Sequence, residues 1–161
     1  VFCCFTGLSF TDMKNLTKDN VQTSFDGKLW IMTKRQKTGV ESNIMLMDIP
    51  MRIIEKYDGM AKENYLLPVP QYITARKNLK TIIGLCGIEK NITWHTSRHT
   101  MATEICLTNG VPIETLSKML GHTNIRTTQI YAKITHEKES HDMNTLSDKL
   151  SKIEQFSDIT I

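Results

Sequence analysis

Two short polar stretches stand out in this sequence of 161 residues, His95-Thr96-Ser97-Arg98-His99 and, further on, Leu120-Gly121-His122. Tyr131 follows nine positions after the second stretch, and Lys37 lies far upstream beside a Thr-Gly turn signal. Considered alone, each residue has an ordinary structural explanation, such as a half-buried aromatic, a histidine past a helix end or a lysine on a sheet edge. Their combination in one chain predicts a site for phosphate chemistry.

The chemistry of phosphodiester cleavage explains why these residue types belong together. Extra negative charge develops on the nonbridging oxygens in the transition state, and preorganised cationic donors stabilise that state more than the ground state. Arg98 offers a planar fork for two phosphate oxygens, while His95 and His122 supply further donors. Tyr131 is the predicted nucleophile, since the cationic surroundings favour its phenolate. Lys37 is the predicted general acid that protonates the departing 5′-oxygen.

The composition is that of an ordinary globular domain. Hydrophobic residues make up 40% and charged residues 23%, which excludes a disordered or collagen-like chain. The net charge of +3 permits a nucleic-acid partner without demanding one. No apolar stretch approaches the roughly 18–20 residues that span a bilayer, and no secretory signal is present, so no membrane partner is predicted. The four cysteines form no disulfide framework, which predicts a reducing, cytoplasmic location.

The spacing of His95 and His99 is one that can bind a metal on a helix. However, the glutamate that a zinc protease needs after its first histidine is missing, and Arg98 between the two would repel a dication. The sequence also lacks a P-loop motif and an acidic cluster. We therefore expect neither a metal nor any other cofactor.

Hydrophobic periodicity predicts a mainly α fold with one small antiparallel sheet. Two strands, at residues 29–32 and 44–46, are expected to form a hairpin around Thr38-Gly39. Thr123 is expected to cap a short helix that holds Tyr131. A last helix carries an apolar ridge at helical spacing, formed by Met143, Leu146, Leu150 and Ile153.

In their order along the chain, these features resemble the tyrosine recombinases, the phage integrase family. The matching stretches are Phe5-Thr6-Gly7-Leu8-Ser9-Phe10-Thr11-Asp12, Lys37-Thr38-Gly39, His95-Thr96-Ser97-Arg98-His99-Thr100 and residues 120–132, with the sequence LGHTNIRTTQIYA. The resemblance covers nearly the whole chain, and the last two stretches are highly specific in combination. It implies the catalytic domain of a site-specific DNA recombinase, similar to the integrases of bacterial mobile elements. Such an enzyme cuts and rejoins double-stranded DNA through a 3′-phosphotyrosyl intermediate, without metal or ATP.

The resemblance also implies how the protein is organised. Residues 1–134 would form the catalytic domain, and the family's separate N-terminal DNA-binding domain would precede Val1, since the sequence opens inside an apolar run. Residues 135–161 would form a docking helix and tail, which either packs on its own chain or exchanges with a neighbouring protomer. The resemblance implies a homotetramer on DNA and leaves room for accessory DNA-bending proteins.

The sequence departs from the family pattern at one position. The family's first arginine normally follows Thr-Gly-Leu, and Ser9 stands there, while Asp12 still matches the family's acidic residue. Either the enzyme is weakened or another arginine supplies the charge. Arg35 is the best candidate, because two residues before Lys37 on a strand it would share a face with that lysine. The alternative for Arg35 is a solvated hairpin charge.

Exposed basic residues predict where DNA is bound. Arg76, Lys77 and Lys80 lie off the apolar stripe of a predicted helix, where they form either a solvated face or contacts to the phosphate backbone. Arg126, on the predicted short helix before Tyr131, is the fourth candidate.

Two other functions remain open at this point. The segment from Pro112 to Gly121, followed by another short helix, is typical of a helix-turn-helix regulator that binds DNA without catalysis. A type IB topoisomerase would share the cleavage chemistry, although the compact Leu-Gly-His…Tyr block fits the recombinases better.

Overall fold

The computed structural model describes residues 1–132 and 136–154, without the side chains of residues 136–138 and 152–154. The helices are α1 (Phe2–Thr6), α2 (Phe10–Lys14), α3 (Asp48–Lys56), α4 (Tyr72–Leu85), α5 (Trp94–Thr100), α6 (Ile113–Met119), α7 (Arg126–Gln129) and α8 (His136–Glu154). The strands are β1 (Val21–Thr23), β2 (Leu29–Lys34) and β3 (Glu41–Met45). A 3₁₀ turn, Lys18–Asn20, and a π-helical stretch, Met101–Leu107, complete the described elements. The predicted fold class, mainly α with a small antiparallel sheet, is confirmed.

The three strands form one antiparallel sheet in the order β1-β2-β3. Ile31 and Ile44 pair across β2 and β3, and both side chains are fully buried. Because side chains alternate along a strand, Lys34 and Glu41, which lie on the opposite face at the turn ends of β2 and β3, stay exposed. The predicted hairpin is confirmed. The third strand, β1, was not predicted, because three residues carry no alternation and their pairing comes from β2.

Hydrogen bonds hold the β2–β3 hairpin between α2 and the end of α6. Thr38 Oγ1 donates to the Gly121 carbonyl at 3.0 Å, just beyond the end of α6. On the other side, the Gln36 backbone N–H donates to Asp12 Oδ1, in α2, at 2.9 Å. The turn between the two strands is therefore fixed beside the loop that carries His122.

A second cluster of buried residues, separate from the one that contains Ile31 and Ile44, includes Leu120, just before that loop. α5 runs on into the π-helical stretch, whose buried Met101, Ala102 and Cys106 pack with Leu116 and Leu120 of the α6 region. Tyr131 belongs to the same cluster. The apolar residues of α6 recur at helical spacing, so one face of this short helix is buried against the π-helical stretch.

The chain divides into two compact units after Tyr131. The second unit contains α8, on which Met143, Leu146 and Leu150 are exposed. The side chain of Ile153 and the predicted boundary between residues 134 and 135 lie outside the described part of the chain. Among the helices of residues 1–132 and 136–154, none has both the length and the apolar character needed to cross a membrane.

Candidate active site

Arg98 is the most deeply buried charged side chain of the predicted site, with 3% of its surface exposed. It lies on α5, and its guanidinium reaches two backbone carbonyls from distant parts of the chain. Nη1 donates to the Gly7 carbonyl at 2.5 Å, and Nη2 donates to the Leu120 carbonyl. Gly7 ends α1 with a φ of 66°, and a Cβ there would lie 2.7 Å from Leu120 Cδ2. Only glycine therefore lets the two carbonyl segments approach Arg98 without strain.

Two of the three guanidinium nitrogens of Arg98 make these hydrogen bonds, and the third does not. Its Nε is buried and has no hydrogen-bond partner among the described residues. Burial, followed by the nearby charge of Arg35, lowers the pKa of Arg98 to about 10, while Tyr131 and Asp12 act in the opposite direction. A buried donor without an acceptor is costly, and an anion bound beside Nε would satisfy it.

His122 binds Arg98 on one side and Thr128 on the other. Its Nε2 lies 3.1 Å from Arg98 Nη2, and its Nδ1 lies 2.8 Å from Thr128 Oγ1. Burial and the charges of Arg98, Arg35 and His95 lower the pKa of His122 from 6.5 to about 4. The ring is therefore neutral at neutral pH. In this structure Nε2 accepts from Arg98, because a guanidinium can only donate, and the donation from His122 to phosphate stays a prediction.

Tyr131 lies just beyond α7, with 5% of its surface exposed. Its backbone N–H donates to the Thr128 carbonyl at 3.0 Å. The ring meets His99 edge-on at 4.7 Å between centroids and lies nearly parallel to the His122 ring at 6.5 Å. The structure thus brings Tyr131, His122 and Arg98 together.

The prediction that Thr123 caps a helix containing Tyr131 is wrong. The short helix α7 begins at Arg126, where the Asn124 side chain accepts the Arg126 backbone N–H at 2.9 Å. It ends at Gln129, two residues before Tyr131. A short polar segment can begin a turn at either of two neighbouring capping residues, and the sequence alone does not distinguish them.

Arg35 approaches the same cluster from the hairpin. Its stem lies against Gly121, where a Cβ would meet Arg35 Cβ at 3.2 Å. Its charge lowers the pKa of Arg98, His122 and His95. Like that of Arg98, its Nε is buried without a partner among the described residues. The structure therefore brings Arg35 into the cluster.

The reason given for choosing Arg35 from the sequence is nevertheless wrong. β2 ends at Lys34, so Arg35 and Lys37 do not alternate along a strand. Instead, the Arg35 carbonyl accepts the backbone N–H groups of Thr38 and Gly39, at 3.2 and 2.8 Å, and closes the turn. The turn, together with its hydrogen bond to the Gly121 carbonyl, directs the Arg35 side chain toward the cluster.

Lys37 and His95 are the more exposed members of the predicted set. Lys37 lies in the turn, and its charge is close enough to lower the pKa of His95. The main cause of that lowered pKa is the partial burial of the His95 ring, followed by the charges of His99 and Arg98. The His95 and His99 rings meet edge-on at 4.9 Å. The described residues contain no group of three or more His, Cys, Asp or Glu side chains that could hold a metal ion.

Ser9 has a structural role at the position of the missing arginine. It caps α2, because its Oγ accepts the Asp12 backbone N–H at 3.1 Å and donates to Asp12 Oδ2 at 2.6 Å. A cavity of about 330 Å³ opens beside it, and its lining includes Arg35 and Lys37. There is therefore space next to Ser9 for a larger side chain that faces the hairpin cations.

The four predicted DNA contacts are all exposed. Arg76 and Lys80, on α4, line a groove of about 620 Å³ together with Trp94, the residue before His95. Lys77 follows Arg76 on the same helix, and Arg126 begins α7. The groove connects the basic residues of α4 with the start of the helix that carries Arg98.

Sequence reasoning missed several groups that build this site. The Gly7 and Leu120 carbonyls have no side-chain signature, and their role depends on chain segments that meet only in the fold. Thr128 was one polar residue among several on a short helix. His99 was considered only as a metal ligand, although its ring packs against Tyr131. Its place directly after Arg98 was the one available signal.

Comparisons with known proteins agree with the motifs. The model of the phage integrase family matches residues 2–138. The tyrosine recombinase XerD of Listeria monocytogenes is 33% identical over 144 residues, which covers 81% of this chain and 47% of that protein. The chain thus spans about half the length of this relative.

Two solved structures share the fold. The crystal structure of XerA recombinase matches with a TM-score of 0.70 and 23% identity, over 89% of this chain and 54% of that one. The XerH recombinase bound to its palindromic difH substrate, in a post-cleavage complex, matches with a TM-score of 0.65 and 18% identity, over 90% of this chain and 43% of that one. At these identities the likeness concerns the fold alone.

Proposed function

The chain belongs to the phage integrase family, and we propose that it cuts and rejoins double-stranded DNA at specific sites through a covalent 3′-phosphotyrosyl intermediate. One observation carries the proposal. Two guanidinium groups, those of Arg98 and Arg35, each bury an Nε without a partner among the described residues, beside the buried phenol of Tyr131. Attack on a phosphodiester requires a nucleophile next to cationic groups that still have a donor available for the phosphate oxygens.

Each residue has a role in the proposed cleavage step. Tyr131 attacks phosphorus, and its proton passes to a neutral imidazole, for which His95 qualifies because its pKa is lowered. Arg98 and Arg35 stabilise the charge that grows on the nonbridging oxygens. The bond from phosphorus to the 5′-oxygen breaks, and Lys37 protonates that oxygen once DNA covers the exposed turn.

Religation follows by the reverse step. The phosphotyrosyl ester conserves the energy of the broken bond, so the 5′-hydroxyl can attack it without ATP. The guanidinium groups supply the positive charge at phosphorus, so the proposed cycle uses no metal. The runner-up function, a helix-turn-helix regulator, needs base-contacting side chains on its second helix. That helix has only four residues, and Thr128, one of them, is fully buried.

The surface beside the site supports double-stranded DNA as the substrate. The groove between α4 and Trp94 carries Arg76 and Lys80, and it leads to the helix of Arg98. Lys77 and Arg126 are exposed and free to add backbone contacts. The XerH structure, which shares this fold, holds its difH substrate. Action on DNA inside the cell also favours the cytoplasm as the location of the protein.

We further propose that residues 1–134 form the catalytic domain and that residues 135–161 dock on a neighbouring protomer of a tetramer. The exposed Met143, Leu146 and Leu150 of α8 form an apolar ridge suited to such docking. Truncation after Ile134 is expected to spare cleavage by Tyr131 and to abolish strand exchange. Recombination that continues unchanged in the truncated protein would contradict the docking role.

A covalent trap tests the cleavage step. The protein is mixed with a pool of nicked suicide duplexes whose sequence is randomised around the nick, and adducts are separated on a denaturing gel. We expect a slow-migrating adduct that disappears in Tyr131→Phe and persists in Tyr65→Phe, a matched change at an exposed tyrosine. If no duplex in the pool yields an adduct, or if the Tyr131→Phe variant still forms one, the recombinase proposal fails.

A further inference from the structure

Thr128 is a fully buried polar residue on a helix that is otherwise exposed. Its relative exposure is 0%, whereas its neighbours Arg126, Thr127 and Gln129 face solvent. Its two polar groups point to different parts of the site. The hydroxyl lies 2.8 Å from His122 Nδ1, and the carbonyl accepts the Tyr131 backbone N–H at 3.0 Å. One residue thus touches both the segment of the nucleophile and the histidine that holds Arg98.

The direction of the hydrogen bonds around His122 follows from donor chemistry alone. Arg98 Nη2 can only donate, so His122 Nε2, 3.1 Å away, must present its lone pair. A neutral imidazole with an unprotonated Nε2 carries its proton on Nδ1. Thr128 Oγ1 must therefore accept that proton's hydrogen bond. Arg98 thus selects the tautomer, and the hydroxyl of Thr128 accepts the Nδ1–H and holds the ring where its Nε2 meets Arg98.

We propose that Thr128 is a positioning residue that links the nucleophile segment to the phosphate-binding side chains, by holding His122 in the orientation in which its Nε2 accepts from Arg98. This inference rests on the proposed function and assigns the link that completes its site. While α7 and Tyr131 are docked, Thr128 holds His122, and His122 holds Arg98 Nη2. Without that segment the Nδ1–H would lose its acceptor, and Arg98 would keep its two backbone carbonyls but lose its contact with a fixed imidazole. The phosphate site is complete only when the nucleophile is in place.

The charges around His122 explain why a neutral hydroxyl suits this position. The groups that act on the ring are Arg98 and His95 from α5 and Arg35 from the hairpin, and all three lower the pKa of His122. A neutral acceptor satisfies Nδ1–H and leaves the ring uncharged. A carboxylate in its place would favour the imidazolium, which could no longer accept from Arg98.

The first test needs no DNA. Nitrogen-15 chemical shifts of the histidine rings report which ring nitrogen carries the proton. At pH 7 we expect the His122 signals of a single Nδ1–H tautomer in the wild type and in Thr128→Ser. Thr128→Val keeps the shape and removes the hydroxyl, so the ring should turn away from Arg98 and give a mixture of tautomers. Thr127→Val, on the exposed side of the same helix, is the matched control and keeps the wild-type shifts. A single unchanged tautomer in Thr128→Val would overturn the proposal.

The second test measures adduct formation on the nicked suicide duplexes. We expect Thr128→Val to slow adduct formation about tenfold, the size of a lost hydrogen bond in a site, and Thr128→Ser to restore most of the rate. In a His122→Ala background, Thr128→Val should have no further effect, because its influence passes through His122. An equal loss with and without His122 would mean a merely structural role and would overturn the proposal. If the wild type forms no adduct, the recombinase function fails, and the nitrogen shifts still decide the role of Thr128.

Discussion

Replacing Arg35 with methionine removes a charge from the site and keeps the stem that packs on Gly121. The guanidinium has a buried Nε without a partner among the described residues, and a bound phosphate oxygen would satisfy it. A hydrogen bond to a charged group contributes about 1.5–3 kcal/mol. At about 1.4 kcal/mol per factor of ten, Arg35→Met should slow cleavage by about ten- to a hundredfold.

The same change should alter the free protein in a way that needs no substrate. Arg35 is one of the cations that lower the pKa of His122, so in Arg35→Met that pKa should rise from about 4 toward its usual 6.5. The two effects have one cause, a positive charge next to His122 and Arg98. Titration of the His122 ring by nuclear magnetic resonance measures the first effect, and the rate of adduct formation measures the second.

Adding arginine at Ser9 should compensate for part of the loss. The cavity beside Ser9 has about 330 Å³ of space and is lined by Arg35 and Lys37. Ser9→Arg sacrifices the cap on α2, which costs about 1 kcal/mol of stability, so the double variant should be less stable yet faster than Arg35→Met. Arg52→Met, at an exposed arginine of α3, is the matched control. Normal cleavage by Arg35→Met would refute the idea that Arg35 replaces the missing arginine.

Three further outcomes follow from the structure. Alanine in a left-handed conformation costs about 1–2 kcal/mol. In urea denaturation, Gly87→Ala, which has open space around it, should lower the free energy of unfolding by that amount. Gly7→Ala, at a similar φ, should lower it by more, because its Cβ would also collide with Leu120. The pKa of His122 is lowered to about 4 in the folded state, so the unfolded chain binds a proton there first as the pH falls. The free energy of unfolding should therefore fall between about pH 6.5 and pH 4, by about 1–2 kcal/mol after solvent screening. His122→Gln should flatten this pH dependence. Neutralising Arg76 and Lys80 should reduce the salt dependence of duplex binding. The slope of the logarithm of the binding constant against the logarithm of salt concentration should become shallower by about 0.9 for each phosphate that these side chains neutralise in the wild type. An unchanged slope would mean that α4 does not contact DNA.

The fold was predictable wherever local signals agree with packing. The β2–β3 hairpin follows from two apolar runs around Thr38-Gly39, and α6 begins where Pro112 indicates. The three-residue strand β1 was not, because short strands depend on a partner that only the tertiary structure provides. The end of α7 before Tyr131 was missed for a similar reason, since Tyr131 packs into a cluster built from distant parts of the chain.

The site was predictable in its residue types and not in its contacts. Arg98 and His122 were named from a motif, yet Arg98 is oriented by the Gly7 carbonyl, 91 positions earlier in the chain. Arg35 was chosen for a strand geometry that the structure does not have, and the turn brings it to the cluster instead. Backbone acceptors and turn directions depend on chain segments far apart in sequence, so residue types and spacing do not reveal them.

The most direct measurement is the identity of the covalent bond to DNA. The adduct trapped on a nicked suicide duplex is digested with protease and nuclease, and mass spectrometry locates the remaining nucleotide. Tyr131 is 5% exposed, whereas the other tyrosines, at 57, 65 and 72, are 36%, 41% and 50% exposed. Adventitious labelling would therefore favour those three. We expect one modified peptide, carrying a 3′-linked nucleotide on Tyr131. A nucleotide on another residue, or one linked through its 5′-phosphate, would contradict the proposed recombinase chemistry.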